Sequence, residues 1–126
     1  MGERNLTLLT DYYEFTMSNG YFLLGRQDQR AAFDVFYREN PQKAGFSIFG
    51  GLEQIIDFLL NMHFPDADID YLRSFNTFDE KFLKYLRDFK FTGDVYAFPE
   101  GTVMSPNEPI ITIVAPIIEA QLVETF

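Results

Sequence analysis

The strongest pattern in the sequence is a helical repeat of apolar residues between Leu52 and Leu60. The apolar positions that share one face of this helix are Leu52, Ile55, Ile56, Leu59 and Leu60. The opposite face carries the polar residues Glu53, Gln54, Asp57 and Asn61. Because an amphipathic helix must bury its apolar face, the chain has to fold as layers around a common core.

Stretches with the composition of β-strands lie on both sides of this helix. They cover residues 31–38, 45–49, 91–98 and 110–114. Other helices are predicted from Asp11 to Gly25, over residues 68–75, and after Thr77. The first and the last of these begin with a capping-box pattern, in which Glu14 follows Asp11, and Glu80 follows Thr77, by three positions. We therefore predict an α+β fold in which a mixed or antiparallel sheet is packed by helices, above all by the Leu52–Leu60 helix.

The other helices also carry apolar stripes. In the first helix the stripe is Tyr13, Met17, Tyr21 and Leu24, and in the helix after Thr77 it is Phe78, Phe82, Tyr85, Leu86 and Phe89. A last helical pattern begins at Pro116 and is still in progress at Phe126, where no stop signal occurs. This pattern leads us to expect a fragment of a longer protein.

Length, charge and composition narrow the classes of protein. The 126 residues are enough for one domain, 1–126, and the net charge of −9 argues against nucleic acid as a partner. No cysteine is present, which excludes thiol catalysis by this chain. Met1 to Asn5 do not resemble a signal peptide, and no apolar stretch is long enough to span a membrane, so we expect a cytoplasmic protein. If the ligand is polyanionic, its cationic partners should come from outside this segment.

Three motifs suggest binding chemistry but fit structural roles better. Asp66, Asp68 and Asp70 have the spacing that opens a calcium loop, but the glycine and the final glutamate of such a loop are missing, so no metal is expected. Gly50-Gly51 precedes a helix without the lysine of a phosphate loop and is interpreted as a tight turn. His63 is the only histidine and has no nearby partner for catalysis, so no catalytic residue is assigned.

Three stretches taken together resemble the N-terminal domain of nicotinate phosphoribosyltransferases. The stretches are Leu8-Leu9-Thr10-Asp11-Tyr12-Tyr13-Glu14, Phe33-Asp34-Val35-Phe36-Tyr37-Arg38, and Pro99-Glu100-Gly101 leading to Ala115-Pro116-Ile117-Ile118-Glu119-Ala120-Gln121-Leu122-Val123-Glu124-Thr125. Their order and separation follow the family from about Leu8 to Phe126. The fold implied is the N-terminal domain common to nicotinate and quinolinate phosphoribosyltransferases. A more distant resemblance to nicotinamide phosphoribosyltransferase is carried by Thr10-Asp11 with Tyr13 and by Phe36 with Arg38.

The resemblance implies a two-domain, homodimeric enzyme whose catalytic barrel would follow residue 126 and is absent from this chain. Such an enzyme couples nicotinate to phosphoribosyl diphosphate with ATP hydrolysis and Mg, giving nicotinate mononucleotide and diphosphate. The phosphorylated histidine of the family would lie in the barrel, and the segment alone would bind no cofactor and be inactive. Two alternatives stay open: a relative that uses nicotinamide, and a freestanding interaction module without chemistry.

The resemblance also implies three substrate-binding residues. Tyr13 matches a tyrosine that crosses the dimer interface and stacks on the pyridine ring, and otherwise it is a core residue on the stripe of the first helix. Asp11 matches an acid near the same ring, and it is equally suited to cap the helix. Arg38 matches an arginine that approaches phosphates of the facing subunit, and otherwise it is a solvated cation at a strand end.

Overall fold

The α+β prediction is confirmed by a computed structural model, which describes residues 5–41 and 44–126. The described helices are α1 (Tyr12–Leu23), α2 (Leu52–Asn61), α3 (Asp66–Ser74), α4 (Glu80–Arg87) and α5 (Ile117–Leu122). The described strands are β1 (Arg30–Val35), β2 (Ser47–Ile48), β3 (Asp94–Ala97), β4 (Val103–Met104) and β5 (Ile111–Pro116). The first four residues, on which the expectation of no signal peptide depends, lie outside the described part.

The strands form two antiparallel sheets, whereas the sequence predicted one. The larger sheet has the order β1-β5-β3, with Ile113 of β5 opposite Phe33 of β1 and Val95 of β3. The smaller sheet pairs β2 with β4. β4 was not predicted, because two residues in a turn-rich segment show no alternation that could reveal a strand.

The core forms on one face of the larger sheet. Alternate residues of β5 are buried, and α5 follows β5 directly and packs back against β5 and β1. α3 and α4 pack against each other, and α1 packs against α5. The buried apolar residues of these elements are Phe15, Ile69, Leu72, Phe82, Leu83, Leu86, Ile111, Ile113, Ala115, Ile118, Ala120 and Leu122.

Side chains of α2 lie in the same core as the sheet, as predicted, but α5 shares this role. Leu59 of α2 borders a cavity of about 240 Å³ together with Ile111 and Ile113 of the sheet, while α5 lies close to β5 and β1. Leu59 is buried as predicted, with 5% of its surface exposed. Ile56 and Leu60 are exposed, so two of the five residues of the predicted stripe face outward.

The first helix presents the opposite face from the one predicted. Tyr13, Met17 and Leu24 are exposed, and the buried residues of α1 are Glu14, Phe15 and Ser18. The periodicity argument assumed that the apolar stripe is buried, and in α1 two of the three buried side chains are polar. The end of the helix is as predicted, because Gly25 adopts a positive φ of 66° just after it.

Two helix boundaries also differ from the sequence-based expectation. α4 is capped by Asp79, whose side chain accepts a hydrogen bond from the Lys81 amide, so Thr77 and Glu80 do not form a capping box. α5 ends at Leu122 with a turn at Val123, whereas the pattern predicted a helix that continues further. The N-cap of α4 is thus Asp79, directly before the helix, and not Thr77 as predicted.

Candidate functional site

Tyr13 lies in the first turn of α1 with 45% of its surface exposed. Its hydroxyl donates a hydrogen bond to Glu124 Oε1, 3.3 Å away, just beyond the end of α5. Three residues near it in sequence, Leu9, Tyr12 and Met17, also have exposed apolar side chains. Tyr13 is thus a surface residue tethered at its hydroxyl, and it does not occupy the core position considered from the sequence.

A buried polar cluster lies beside Tyr13, between α1 and α5. Glu14 is fully buried, and Gln121 Nε2 donates a hydrogen bond to Glu14 Oε2 and another, of 3.1 Å, to Glu124 Oε2. Glu14 Oε1 and Ser18 Oγ are buried without a hydrogen-bond partner among the described residues. The main contact between α1 and α5 therefore contains an acidic group that is only partly satisfied.

Burial is the main cause of a raised pKa for the Glu14 carboxyl. The hydrogen bond from Gln121 and the nearby Tyr13 hydroxyl oppose this rise, whereas the negative charge of Glu124 adds to it. The pKa of Tyr13 is raised to about 12, first by the neighbouring Glu14 carboxyl and then by desolvation and by Glu124, which accepts its hydroxyl. The phenol consequently stays protonated, and a hydrogen-bond donor, over the ordinary pH range.

Asp11 occupies the N-cap position of α1, but its side chain makes no capping hydrogen bond. Its main-chain carbonyl accepts from the Glu14 amide at 3.1 Å. Glu14 is buried against Gln121, so it does not reach back, and the predicted capping box is wrong. The exposed Asp11 carboxylate is therefore not engaged by the first helical turn, two residues from Tyr13.

Arg38 lies three residues beyond the end of β1 and is exposed. The hydroxyl of its neighbour Tyr37 lies within hydrogen-bond distance of the Met104 carbonyl oxygen, at 2.8 Å, and of the Asn40 side-chain amide, at 2.9 Å. Within residues 5–41 and 44–126, no hydrogen bond or ion pair joins Arg38 to Tyr13 or Asp11. The structure thus brings Asp11 and Tyr13 together at one helix start and leaves Arg38 in a separate segment.

The aspartates that resemble a calcium loop belong to the start of α3. Asp66 forms an ion pair with Arg87 at 3.0 Å, and Asp70 forms one with Arg73. The described residues contain no cluster of three or more histidine, cysteine or acidic residues that could hold a metal ion. The Asp66 pair joins α3 to α4, whereas the Asp70 pair lies within α3.

The glycine pair before α2 is a tight turn, with Gly51 at a positive φ of 101°. The amides of Gly51 and Leu52 both donate to Glu100 Oε1, at 3.0 and 2.7 Å. The helix start that most resembles a phosphate loop is therefore already occupied by a carboxylate of this chain.

His63 is a loop residue whose Nδ1 lies 2.7 Å from the Asn61 carbonyl oxygen.

Gln121 and Glu124 are site residues that were not assigned a role from the sequence. They lie 108 and 111 positions after Tyr13, and only the packing of α1 on α5 brings them near it. Their spacing of three residues was the one available signal, since it places both side chains on one side of a helix end.

Within the described residues, no helix is both long and apolar enough to cross a membrane.

Comparison with known proteins gives a consistent result. Residues 8–126 match the family model described as the nicotinate phosphoribosyltransferase N-terminal domain. A nicotinate phosphoribosyltransferase of Mycobacterium tuberculosis is 45% identical over 119 residues, which cover 94% of this chain and 26% of that protein. One from Bacillus subtilis is 40% identical over 121 residues, covering 96% of this chain and 25% of that protein.

The fold comparison agrees with the sequence comparison. The crystal structure of human nicotinic acid phosphoribosyltransferase superposes with a TM-score of 0.84 and 34% identity, over 92% of this chain and 24% of that chain. The present chain spans about a quarter of the length of the curated relatives it matches.

Proposed function

This chain belongs to the family of nicotinate phosphoribosyltransferase N-terminal domains, and on that premise we propose that it is part of an enzyme that makes nicotinate mononucleotide. The enzyme would couple nicotinate to phosphoribosyl diphosphate with ATP hydrolysis and release diphosphate. The observation that carries the proposal is the match of residues 8–126 to this one domain. The catalytic barrel would be supplied by sequence beyond residue 126.

The charge of the chain supports a division of labour between two domains. With a net charge of −9, this segment repels a polyphosphate substrate. The described residues also do not fit a Mg-ATP site, because Asp66 and Asp70 are paired with arginines and no other acidic cluster is present among them. We therefore assign phosphoribosyl diphosphate, ATP and Mg to the barrel.

Tyr13 is proposed to form one wall of the pyridine site. Its ring is exposed at a helix start and is held at the hydroxyl, so one face can meet the electron-poor ring of nicotinate in offset stacking. The neighbouring exposed side chains of Leu9, Tyr12 and Met17 form a surface suited to contact with a second subunit. This exposed surface supports a homodimer in which Tyr13 reaches the site of the partner.

Asp11 and Arg38 are proposed to have secondary roles in substrate binding. The Asp11 carboxylate is exposed and not used for capping, so it is available near the pyridine ring. Arg38 is exposed beside the fixed Tyr37, and a guanidinium group can donate a fork of hydrogen bonds to phosphate oxygens. The cytoplasm is the proposed location, where the substrates of NAD biosynthesis occur.

The central test is the kinetics of the full-length protein that contains this chain. Formation of nicotinate mononucleotide from nicotinate supports the proposal, and efficient use of nicotinamide in its place would favour the nicotinamide-using relative. Replacing Tyr13 by Ala should raise the KM for nicotinate about three- to thirtyfold, because stacking and ring burial are lost. The 126-residue chain alone should form no product.

Subunit mixing tests the position of Tyr13 across the interface. Tyr13→Ala protein is mixed with a variant inactivated only in its barrel, and subunit exchange is verified independently. A shared site restores activity, because mixed dimers combine one intact Tyr13 with one intact barrel. Activity that never exceeds the sum of the separate parents would contradict the cross-subunit role.

A further inference from the structure

The hydrogen bonds around Tyr13 form a relay from the interior to the surface. Glu14 is fully buried and Gln121 is 4% exposed, so the side-chain amide that joins them has a fixed direction. The same Gln121 nitrogen donates at 3.1 Å to Glu124, which is exposed. Glu124 in turn accepts the hydroxyl of Tyr13.

The relay restricts a side chain that would otherwise rotate freely. An exposed tyrosine in the first turn of a helix makes few contacts that restrict its rotamer. A hydrogen bond to its hydroxyl, at the far end of the ring, restricts both side-chain torsions. The Glu124 carboxylate can serve as this anchor because two groups restrain it. Gln121 binds its side chain, and the Glu124 main-chain amide donates to the Gln121 carbonyl at 3.3 Å.

We propose that Glu124 is a positioning residue: its carboxylate, held by Gln121, sets the orientation of the Tyr13 ring at the pyridine site. This inference rests on the role proposed above for Tyr13. Glu124 would touch neither the pyridine ring nor the phosphates. It would act only through the Tyr13 hydroxyl, which makes its contribution separable by mutation.

The test is a double-mutant cycle in the full-length protein. Glu124→Ala and Tyr13→Phe should each raise the KM for nicotinate about twofold to fivefold, the scale of one solvent-accessible hydrogen bond. The double variant should be no worse than either single one, since both changes remove the same bond. kcat and the KM for phosphoribosyl diphosphate should change less than twofold.

Two further variants serve as controls for the cycle. Glu124→Gln keeps one acceptor oxygen for two donors, Tyr13 Oη and Gln121 Nε2, so its KM for nicotinate should lie between those of the unmodified protein and Glu124→Ala. Glu53→Ala removes an exposed carboxylate of α2 and should leave the KM for nicotinate unchanged. A Glu124→Ala effect that multiplies with Tyr13→Phe, or no effect at all, would overturn the proposal.

The result also separates this inference from the proposed function. If Tyr13→Ala leaves the nicotinate KM unchanged, the pyridine role of Tyr13 fails. If Tyr13→Ala is strong and Glu124→Ala is neutral, only the positioning role fails. A readout independent of activity is the 13Cζ signal of Tyr13 in tyrosine-labelled full-length protein, assigned with Tyr13→Phe, which should shift in Glu124→Ala. An unchanged signal would overturn the hydrogen bond itself.

Discussion

Replacing Glu14 by Gln should stabilise the chain at pH 8 and have little effect at pH 4. The two side chains have the same shape, and a glutamine oxygen can still accept the hydrogen bond from Gln121. The groups that face Glu14 are Tyr13 on its own helix, and Gln121 and Glu124 on the other side of the interface. None of them is a cation, so a negative charge at Glu14 is not neutralised.

The direction of the pH dependence of stability follows from the raised pKa of Glu14. The folded state binds more protons than the unfolded state between the ordinary and the raised pKa, so stability is highest at low pH and falls as pH rises through this window. Above the raised pKa the folded state contains a buried carboxylate with one unsatisfied oxygen. An unsatisfied buried group costs about 1 to 3 kcal/mol, and more when charged, so removing the charge should recover about 1 kcal/mol.

The assay is urea unfolding at pH 4, 6 and 8, followed by circular dichroism because the chain has no tryptophan. Other titrating groups, such as Asp68, whose pKa is also raised by burial, cancel in the difference between the two proteins. Glu53→Gln on the exposed face of α2 is the matched control and should show no such pH-dependent difference. An equal difference at pH 4 and pH 8, or a loss of stability at pH 8, would refute the reasoning.

Three further substitutions test the fold and the site. Leu59→Ala should cost roughly 2 to 5 kcal/mol of unfolding free energy in urea titrations, since Leu59 is buried, and a loss below about half a kcal/mol would contradict its core position. Gly93→Ala should cost about 1 to 3 kcal/mol, because a Cβ there would lie 2.5 Å from that of Ala115, and Ala115→Gly should restore part of this loss in the same assay. Arg38→Ala in the full-length protein should raise the KM for phosphoribosyl diphosphate about ten- to hundredfold and the KM for nicotinate less, and unchanged donor kinetics would make Arg38 a solvated cation.

The contrast between α4 and α1 shows how far periodicity predicts burial. In α4 the predicted residues Phe82 and Leu86 are buried, and so is Phe89 just beyond the helix, because this segment packs into an apolar core. In α1 the aromatic Tyr13 is exposed, while Glu14 is buried against α5. Sequence periodicity predicts burial by assuming that apolar side chains are buried and polar ones exposed. It therefore assigns the wrong buried face to a helix such as α1, whose buried face is partly polar and whose exposed face is partly apolar.

The candidate site was predictable only in part for a related reason. Asp11, Tyr13 and Arg38 were proposed because their motifs match a family, and their roles stay predictions. Glu124 was not proposed, because its bond to Tyr13 spans 111 positions and its spacing from Gln121 does not indicate that partner. The pairing of β2 with β4 was missed in the same way, because the elements are two residues long and far apart in sequence. Local patterns predicted the elements other than β4, and the long-range partners of these elements required the structure.

The contact of Glu100 with the start of α2 affects which ions can approach this domain. An incoming phosphate would have to displace a carboxylate that already accepts two main-chain hydrogen bonds, and it would gain no additional donors there. The positive end of the helix dipole is compensated from within the chain, so the acidic surface is not interrupted at this point. The start of α2 is therefore not an anion site, and the phosphates of the donor proposed above would gain nothing by binding there.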